Sequence, residues 1–181
     1  MSNTTVPTPA NPAGWKFETR QIHAGQAPDA ATGARALPIY QTTSFVFKDT
    51  DDAANLFSLQ KYGNVYSRLS NPTVAALEER IASLEGGIGA VATASGMAAE
   101  FITFAALCQA GDHLVASSQL YGGTVTQLDV SLRRFGIETT FVEGTDPADY
   151  KAALTENTKA IYTEVVANPS GEIADLEGLA D

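Results

Sequence analysis

Between Ile88 and Val165, short apolar runs alternate with stretches of helical periodicity, and this alternation restricts the fold more than any other feature of the chain. Strands are expected over Ile88–Thr93, His113–Ser117, Ile137–Val142 and Ala160–Val165. Helices are expected between them, over Met97–Gln109, Thr124–Phe135 and Asp146–Leu154, with Gly111 and Gly136 at helix ends. In the Thr124 helix, Val125, Leu128, Leu132 and Phe135 share one face. Strands and helices alternating at these lengths demand parallel strands joined by crossovers, with helices covering the sheet. An α/β fold follows.

The residues before this region read differently. Residues 1–14 are rich in Pro, Asn and Thr and carry little to bury, so a disordered or loosely attached tail is expected. Residues 15–72 are expected to form an N-terminal arm that crosses a surface, a neighbouring subunit's being one candidate, and from Trp15 to Thr50 they show little periodicity. Within it Leu37–Phe47 is extended, Pro38 argues against a central strand, and Asp49–Gln60 has the acidic first turn of a short helix. The α/β domain is then expected over 73–181. Its first helix is capped by Asn71 with Pro72 in the first turn, carries Val74, Leu77, Ile81 and Leu84 as its apolar face, and closes at Gly86-Gly87.

Composition excludes several classes of function. With 11 basic against 21 acidic residues the net charge is −10, which opposes nucleic acid and anionic membrane as partners. No apolar run is long enough to span a bilayer and no secretory signal follows Met1, so the cytoplasm is the expected location. Cys108 is the one cysteine, which leaves no disulfide within a chain; it reads as a small buried hydrophobe in the helix after Met97. His23 and His113 sit in no metal-ligand spacing, so no metal is expected. The glycines of Gly87-Ile88-Gly89 precede the strand where a dinucleotide fold needs them after it, and no Gly-Lys-Ser/Thr occurs.

Ala94-Ser95-Gly96-Met97 falls between the first strand and the helix that follows. The first N–H groups of a helix lack partners within it, the peptide dipoles add partial positive charge there, and Gly96 has no Cβ to keep a ligand away. A phosphate suits such a turn. The dipole contributes roughly 0.3–2 kcal/mol, too little against the desolvation of a dianion, so a cation is also required, ideally a bidentate arginine. Taken alone, the turn reads more simply as a small-residue device that packs helix on sheet.

Four ordered motifs decide the matter: Tyr66-x-Arg68-x-x-Asn71-Pro72-Thr73, the Ser95-Gly96-Met97 turn, Leu120-Tyr121-Gly122-Gly123-Thr124 and Ala167-Asn168-Pro169-Ser170-Gly171. Together they resemble the Cys/Met-metabolism group of pyridoxal-phosphate (PLP) enzymes related to cystathionine γ-synthase, over about Phe17 to Asp181. Within that group, Pro38–Phe45 and Gly63–Arg68 are most similar to the O-acetylhomoserine sulfhydrylases. The resemblance implies the large domain of a PLP-dependent transferase of fold type I, aspartate aminotransferase-like, incomplete here and preceded by the extended arm. It also implies a homo-oligomer, a dimer of dimers.

The resemblance assigns roles as well. Ser95, Gly96 and Met97 would bind the cofactor phosphate, with Tyr66 and Arg68 reaching it from a neighbouring subunit. Tyr121 would stack on the pyridine ring and exchange protons; Asn168 would bond the ring's phenolic oxygen, and Glu164 would orient that neighbourhood. Singly, each has a plainer reading. Tyr121 could cover a sheet edge, Asn168-Pro169 is ordinary turn chemistry, Glu164 could face solvent on a strand, and Arg68 could be a surface charge. The implied reaction is γ-replacement on O-acetylhomoserine by sulfide or a thiol, with a γ-lyase or cystathionine synthase as the alternative. The cofactor-bearing lysine and the aspartate paired with the pyridine nitrogen are implied beyond the last motif. None of Lys16, Lys48, Lys61, Lys151 and Lys159 has the family's Ser-x-x-Lys setting, so the chain reads as the N-terminal portion of an enzyme, inactive and poorly folded by itself. A non-catalytic chain that assembles with full subunits is the alternative of another class.

Overall fold

In the computed structural model, which describes residues 14–181, every residue of strand β1 (His113–Ser117) is buried. It lies between β2 (Glu138–Val142) and β3 (Thr158–Tyr162), both parallel to it, in the order β2-β1-β3. Alternate residues of a strand point to opposite faces, so β1 feeds two cores. Leu114 and Ala116 pack with Phe104, Leu120, Leu128, Leu132 and Ile137 on one side. Val115 packs with Val142 and Tyr150 on the other. Each fully buried leucine contributes roughly 1.5–3 kcal/mol of transfer free energy.

Helix α4 (Gly96–Leu107) and helix α5 (Gly122–Thr126), the latter continued by a π-helical stretch Gln127–Leu132 and a 3-10 turn Arg133–Phe135, cover the first core. Helices α6 (Pro147–Ala153) and α7 (Leu176–Ala180) cover the second. Residues Thr93–Asp181 are therefore one compact α/β unit, with helices on both faces of a parallel sheet.

Several boundaries differ from expectation for local reasons. β3 starts at Thr158 and stops at Tyr162, because its register against β1 runs from His113 to Ala116 and Thr163–Val165 pass beyond the paired part. Helix α4 ends at Leu107. Cys108 caps it in extended backbone, half-buried against the first core, because the Asp112 carboxylate accepts from Gln109 N–H at 2.8 Å and draws the chain into a turn. Burial pushes the Cys108 thiol up from its ordinary range. In the Thr124 helix, Leu128 and Leu132 are buried, whereas Phe135 is exposed. A π turn takes in an extra residue, so positions after it leave the α-helical register.

The residues up to Ala92 form a second unit. Helix α1 (Phe17–His23), unmarked by any periodicity, approaches helix α3 (Pro72–Glu85) closely, and helix α2 (Thr50–Phe57) is capped by Asp49, which accepts from Asp52 N–H at 2.7 Å. The approach turns on Gly25, at φ +69°, where a Cβ would stand 2.4 Å from the Ala76 carbonyl oxygen. Arg80 donates to Ala24 O and Gln26 Oε1, both at 3.0 Å, and Arg20 to Ser83 O. On the face of α3 turned this way Ala76 and Ser83 are buried, while Val74, Leu77 and Ile81, elsewhere on the helix, are exposed. The larger apolar stripe is thus not the buried one.

The first expected strand, Ile88–Thr93, is absent. Ile88 and Val91 are 111% and 82% exposed, and the described residues of this unit hold only an isolated bridge, Ser44 with Tyr66. An extended run without a partner makes no ladder. Of the tail expected over 1–14, residues 1–13 lie outside the described residues. Among the described residues no helix is long and apolar enough to cross a membrane, and no group of three or more His, Cys, Asp or Glu could hold a metal ion.

Candidate functional site

Because β1 and β3 are parallel, the segments that leave them emerge at the same edge of the sheet. One leads to Tyr121 at the start of α5, the other to Glu164 and Asn168. The Glu164 carboxylate joins them: Oε1 accepts from Tyr121 N–H at 2.8 Å and Oε2 from Asn168 N–H at 3.1 Å. A half-buried carboxylate satisfied by two main-chain donors fixes two loops at once, which a solvent-facing strand residue does not do. Asn168 itself is exposed, and Tyr121 is 51% exposed, so both side chains stand open to a ligand.

Helix α4 begins beside this pair. Ser95 is its N-cap, with Oγ accepting from Ala98 N–H at 3.1 Å. That leaves Gly96 and Met97 as first-turn donors with no acceptor inside the helix. A Cβ on Gly96 would meet nothing within 4 Å, so the backbone there is open to close approach. Gly123 is the contrary case: a Cβ on it would strike the Tyr121 ring at 2.5 Å and lie 3.3 Å from Met97 Sδ. The glycine thus lets the Tyr121 ring fold back over its own helix start.

Beneath the two turns lies a polar cluster that the motifs do not announce. Thr124, fully buried, donates to the Glu100 carboxylate, with its Oγ1 3.0 and 3.2 Å from the two oxygens. Tyr162 OH donates to Glu100 Oε1 at 3.0 Å. The Gln127 amide, its nitrogen toward Met97 O and its oxygen toward Phe101 N–H, bonds each at 3.2 Å. Burial and then the Glu100 carboxylate push the Tyr162 phenol far above its ordinary value, so it remains a donor. The one available signal was a lone acidic residue inside the apolar run of α4.

Tyr66 and Arg68 belong to the other unit. Phe45 N–H to Val65 O at 3.2 Å and Ser67 N–H to Thr43 O at 2.8 Å hold them on an antiparallel bridge. A turn with Leu69 N–H to Tyr66 O at 2.8 Å then leads to the Asn71 cap. Arg68 lies 5.9 Å from the Tyr66 ring centroid, and no carboxylate pairs with it among the described residues. The two side chains are presented together, the cation unspent.

Lys159 does not join these groups. It lies at the opposite end of the strands, 3.6 Å from Asp112; in the unit up to Ala92, Lys61 pairs with Asp52. The donor set at the strand exits therefore suits an anionic group on the α4 amides beside a flat ring on Tyr121.

The family described as Cys/Met metabolism PLP-dependent enzyme matches residues 18–181. The chain is 55% identical over 164 residues to a sulfhydrylase, FUB7, of Fusarium oxysporum, covering 91% of the chain and 38% of that protein. It is 53% identical over 168 residues to the O-acetyl-L-homoserine sulfhydrylase of Corynebacterium glutamicum, covering 92% of the chain and 38% of that protein. A solved Campylobacter jejuni protein, provisionally named an O-acetylhomoserine (thiol)-lyase and holding a pyridoxyl-lysine phosphate, superposes with a TM-score of 0.83 at 40% identity, covering 90% of this chain and 40% of that one. The chain thus spans about 38% of the length of the curated relatives it matches.

Proposed function

The chain belongs to the Cys/Met metabolism family of PLP-dependent enzymes, and from that premise we propose that the protein replaces the acetate of O-acetylhomoserine by sulfide or a thiol. Its fold is that of the type I PLP-dependent enzymes. The C–O bond to acetate breaks, a C–S bond forms at the same carbon, and the product is homocysteine, or methionine when the thiol is methanethiol. Acetate carries away the leaving electron pair.

When bound, pyridoxal phosphate would supply the electron sink for chemistry at the carbon that bears the amino group. The chain's own residues bind and orient. Gly96 and Met97 N–H groups, with the Ser95 cap holding their turn, bind the phosphate at a helix N-terminus. Arg68, beside Tyr66, adds the charge that the helix alone cannot, reaching in from a neighbouring subunit of a dimer of dimers. Tyr121 lays its ring against the pyridine and moves a proton at its phenolic oxygen. Asn168 donates to the ring's phenolic oxygen, and Glu164 keeps Tyr121 and Asn168 in step.

The observation that carries this reading is the Glu164 bridge, which ties the ring-stacking candidate to the ring-bonding candidate from opposite sides of one carboxylate. Residues 1–181 alone are proposed to be inactive, because Lys159 sits at the start of β3, the end of the strand away from that bridge, beside Asp112. The partners are small molecules, neither nucleic acid nor membrane, and the setting is the cytoplasm, in keeping with an acidic chain.

The test is product analysis on the natural full-length protein supplied with pyridoxal phosphate. Homocysteine and acetate formed from O-acetylhomoserine and sulfide are expected. Cleavage of cystathionine or methionine without that reaction would transfer the protein to the γ-lyases.

A further inference from the structure

We propose that Glu100 is a positioning residue that fixes the spacing between the Ser95–Gly96–Met97 turn and the Tyr121–Gly122–Gly123 turn. The inference rests on the reading that these two turns hold one cofactor. Glu100 is the single charged residue of α4 and follows Met97 by three positions. Thr124 follows Tyr121 by three positions. Residues three apart on a helix lie on one face, so the Glu100–Thr124 contact joins the first turns of α4 and α5 directly below the two groups that must face one ligand.

Tyr162 brings in the third element. It ends β3 two residues before Glu164, and its hydroxyl reaches the same carboxylate. One strand exit thus serves both carboxylates: Tyr162 is held by Glu100, and Glu164 holds Tyr121 and Asn168. The apolar contacts of Phe104 and Leu128 keep α4 and α5 packed in any case, but such contacts are non-directional. A carboxylate that accepts from two fixed hydroxyls admits only one spacing. Tyr162 donates to Oε1, while Thr124 lies within reach of both oxygens. Glu100→Gln removes the charge from both bonds and replaces one oxygen by an NH2, so the two hydroxyls are left to share one neutral acceptor.

The experiment uses the natural full-length protein and its variants E100Q, Y162F and the double variant. It reads the dissociation constant of pyridoxal phosphate, the melting temperature, and hydrogen exchange at the Tyr121 and Val125 amides. Loss of a charge-assisted bond is expected to weaken cofactor binding about tenfold in E100Q and about threefold in Y162F, with the double variant no worse than E100Q. Exchange at Tyr121 and Val125 is expected to quicken in both single variants. A lowered melting temperature with unchanged cofactor affinity and exchange would make Glu100 merely structural and overturn the inference. If E100Q does not fold, Y162F decides by the same criteria, because its ring keeps its edge contact with Phe104. A wild-type protein that binds no pyridoxal phosphate would refute the proposed function. Exchange would then judge Glu100 separately, and unchanged rates in E100Q would overturn the inference as well.

Discussion

Gly96 is the residue at which the phosphate proposal can be isolated from the helix that carries it. It is the first residue of α4, where proline is tolerated because the N–H has no helical acceptor. Ser95 before it is extended, at φ −162° and ψ 160°, as a residue preceding proline must be. Gly96→Pro therefore deletes one donor and keeps the helix. Gly96→Ala keeps the donor and places its Cβ in open space. Titration of pyridoxal phosphate into the full-length variants is expected to show G96A within about threefold of wild type and G96P weaker by roughly 10–100-fold, the worth of a hydrogen bond to a charged group. Equal affinities would move the phosphate elsewhere. At this scale the chemistry visible in the sequence is that which stands in local motifs: Ser95 as cap, Asn71 as cap, Gly86 at φ +72° closing α3. Glu100 was not visible, because its partners Thr124 and Tyr162 lie 24 and 62 residues away. Nothing in the spacing of a single glutamate tells which distant hydroxyls will converge on it.

Elements were readable where their determinants are local, and α3 is the clearest case. The Asn71 Oδ1 accepts from Thr73 N–H at 2.9 Å, and its Nδ2 donates to Tyr40 O and Ser67 Oγ, both at 2.9 Å. Thr73 then closes the clasp by bonding Pro38 O at 3.1 Å and Tyr40 N–H at 3.0 Å. One cap therefore starts a helix and pins the arm to it. Asn71→Ala is expected to cost about 1–2 kcal/mol in denaturant unfolding, above the roughly 1 kcal/mol of an exposed cap such as Ser95→Ala. A smaller loss for N71A than for S95A would show that the clasp adds nothing. Other elements depended on neighbours that a sequence does not order. Ile88–Thr93 has the apolar run of a strand but no strand beside it, and α1 lacks periodicity yet forms where Gly25 lets it approach Ala76. The choice of Ala76 and Ser83 over Val74 and Leu77 as the buried side of α3 was likewise a matter of distance to α1, not of hydrophobicity.

Over the whole molecule, the titrating groups that folding perturbs set both limits of the pH range. Thr32 holds the Asp29 carboxyl below its ordinary 3.8, and Lys61 does the same for Asp52. Groups depressed by folding contribute stability above their unfolded value and lose it as pH falls through the folded one. Burial of Glu79, raised from 4.5, opposes them in part. Burial raises Cys108 from 9.0 and, with Asp29 and Glu100 as neighbours, Tyr40 and Tyr162 from 10.0. Stability tied to these groups is complete below their unfolded values and declines as pH rises past them, since the unfolded chain releases the protons first. Melting temperature is therefore expected to fall below about pH 4 and above about pH 9–10. Asp52→Asn should flatten the acid limb and Tyr162→Phe the alkaline one; limbs unchanged in both would remove these groups as the cause.

The α/β class, the parallel sheet and the family were all readable at this largest scale, because alternation and ordered motifs survive any error in a single boundary. On the proposed function, the α4 amides and the Tyr121–Glu164–Asn168 bridge hold one pyridoxal phosphate. The most direct test is a crystal structure of the natural full-length protein with that cofactor. It should place a phosphate oxygen about 2.7–3.2 Å from the Gly96 and Met97 nitrogens, with the pyridine against the Tyr121 ring and Asn168 in reach of the phenolic oxygen. A phosphate bound away from the start of α4, or a ring that leaves Tyr121 uncovered, would contradict it.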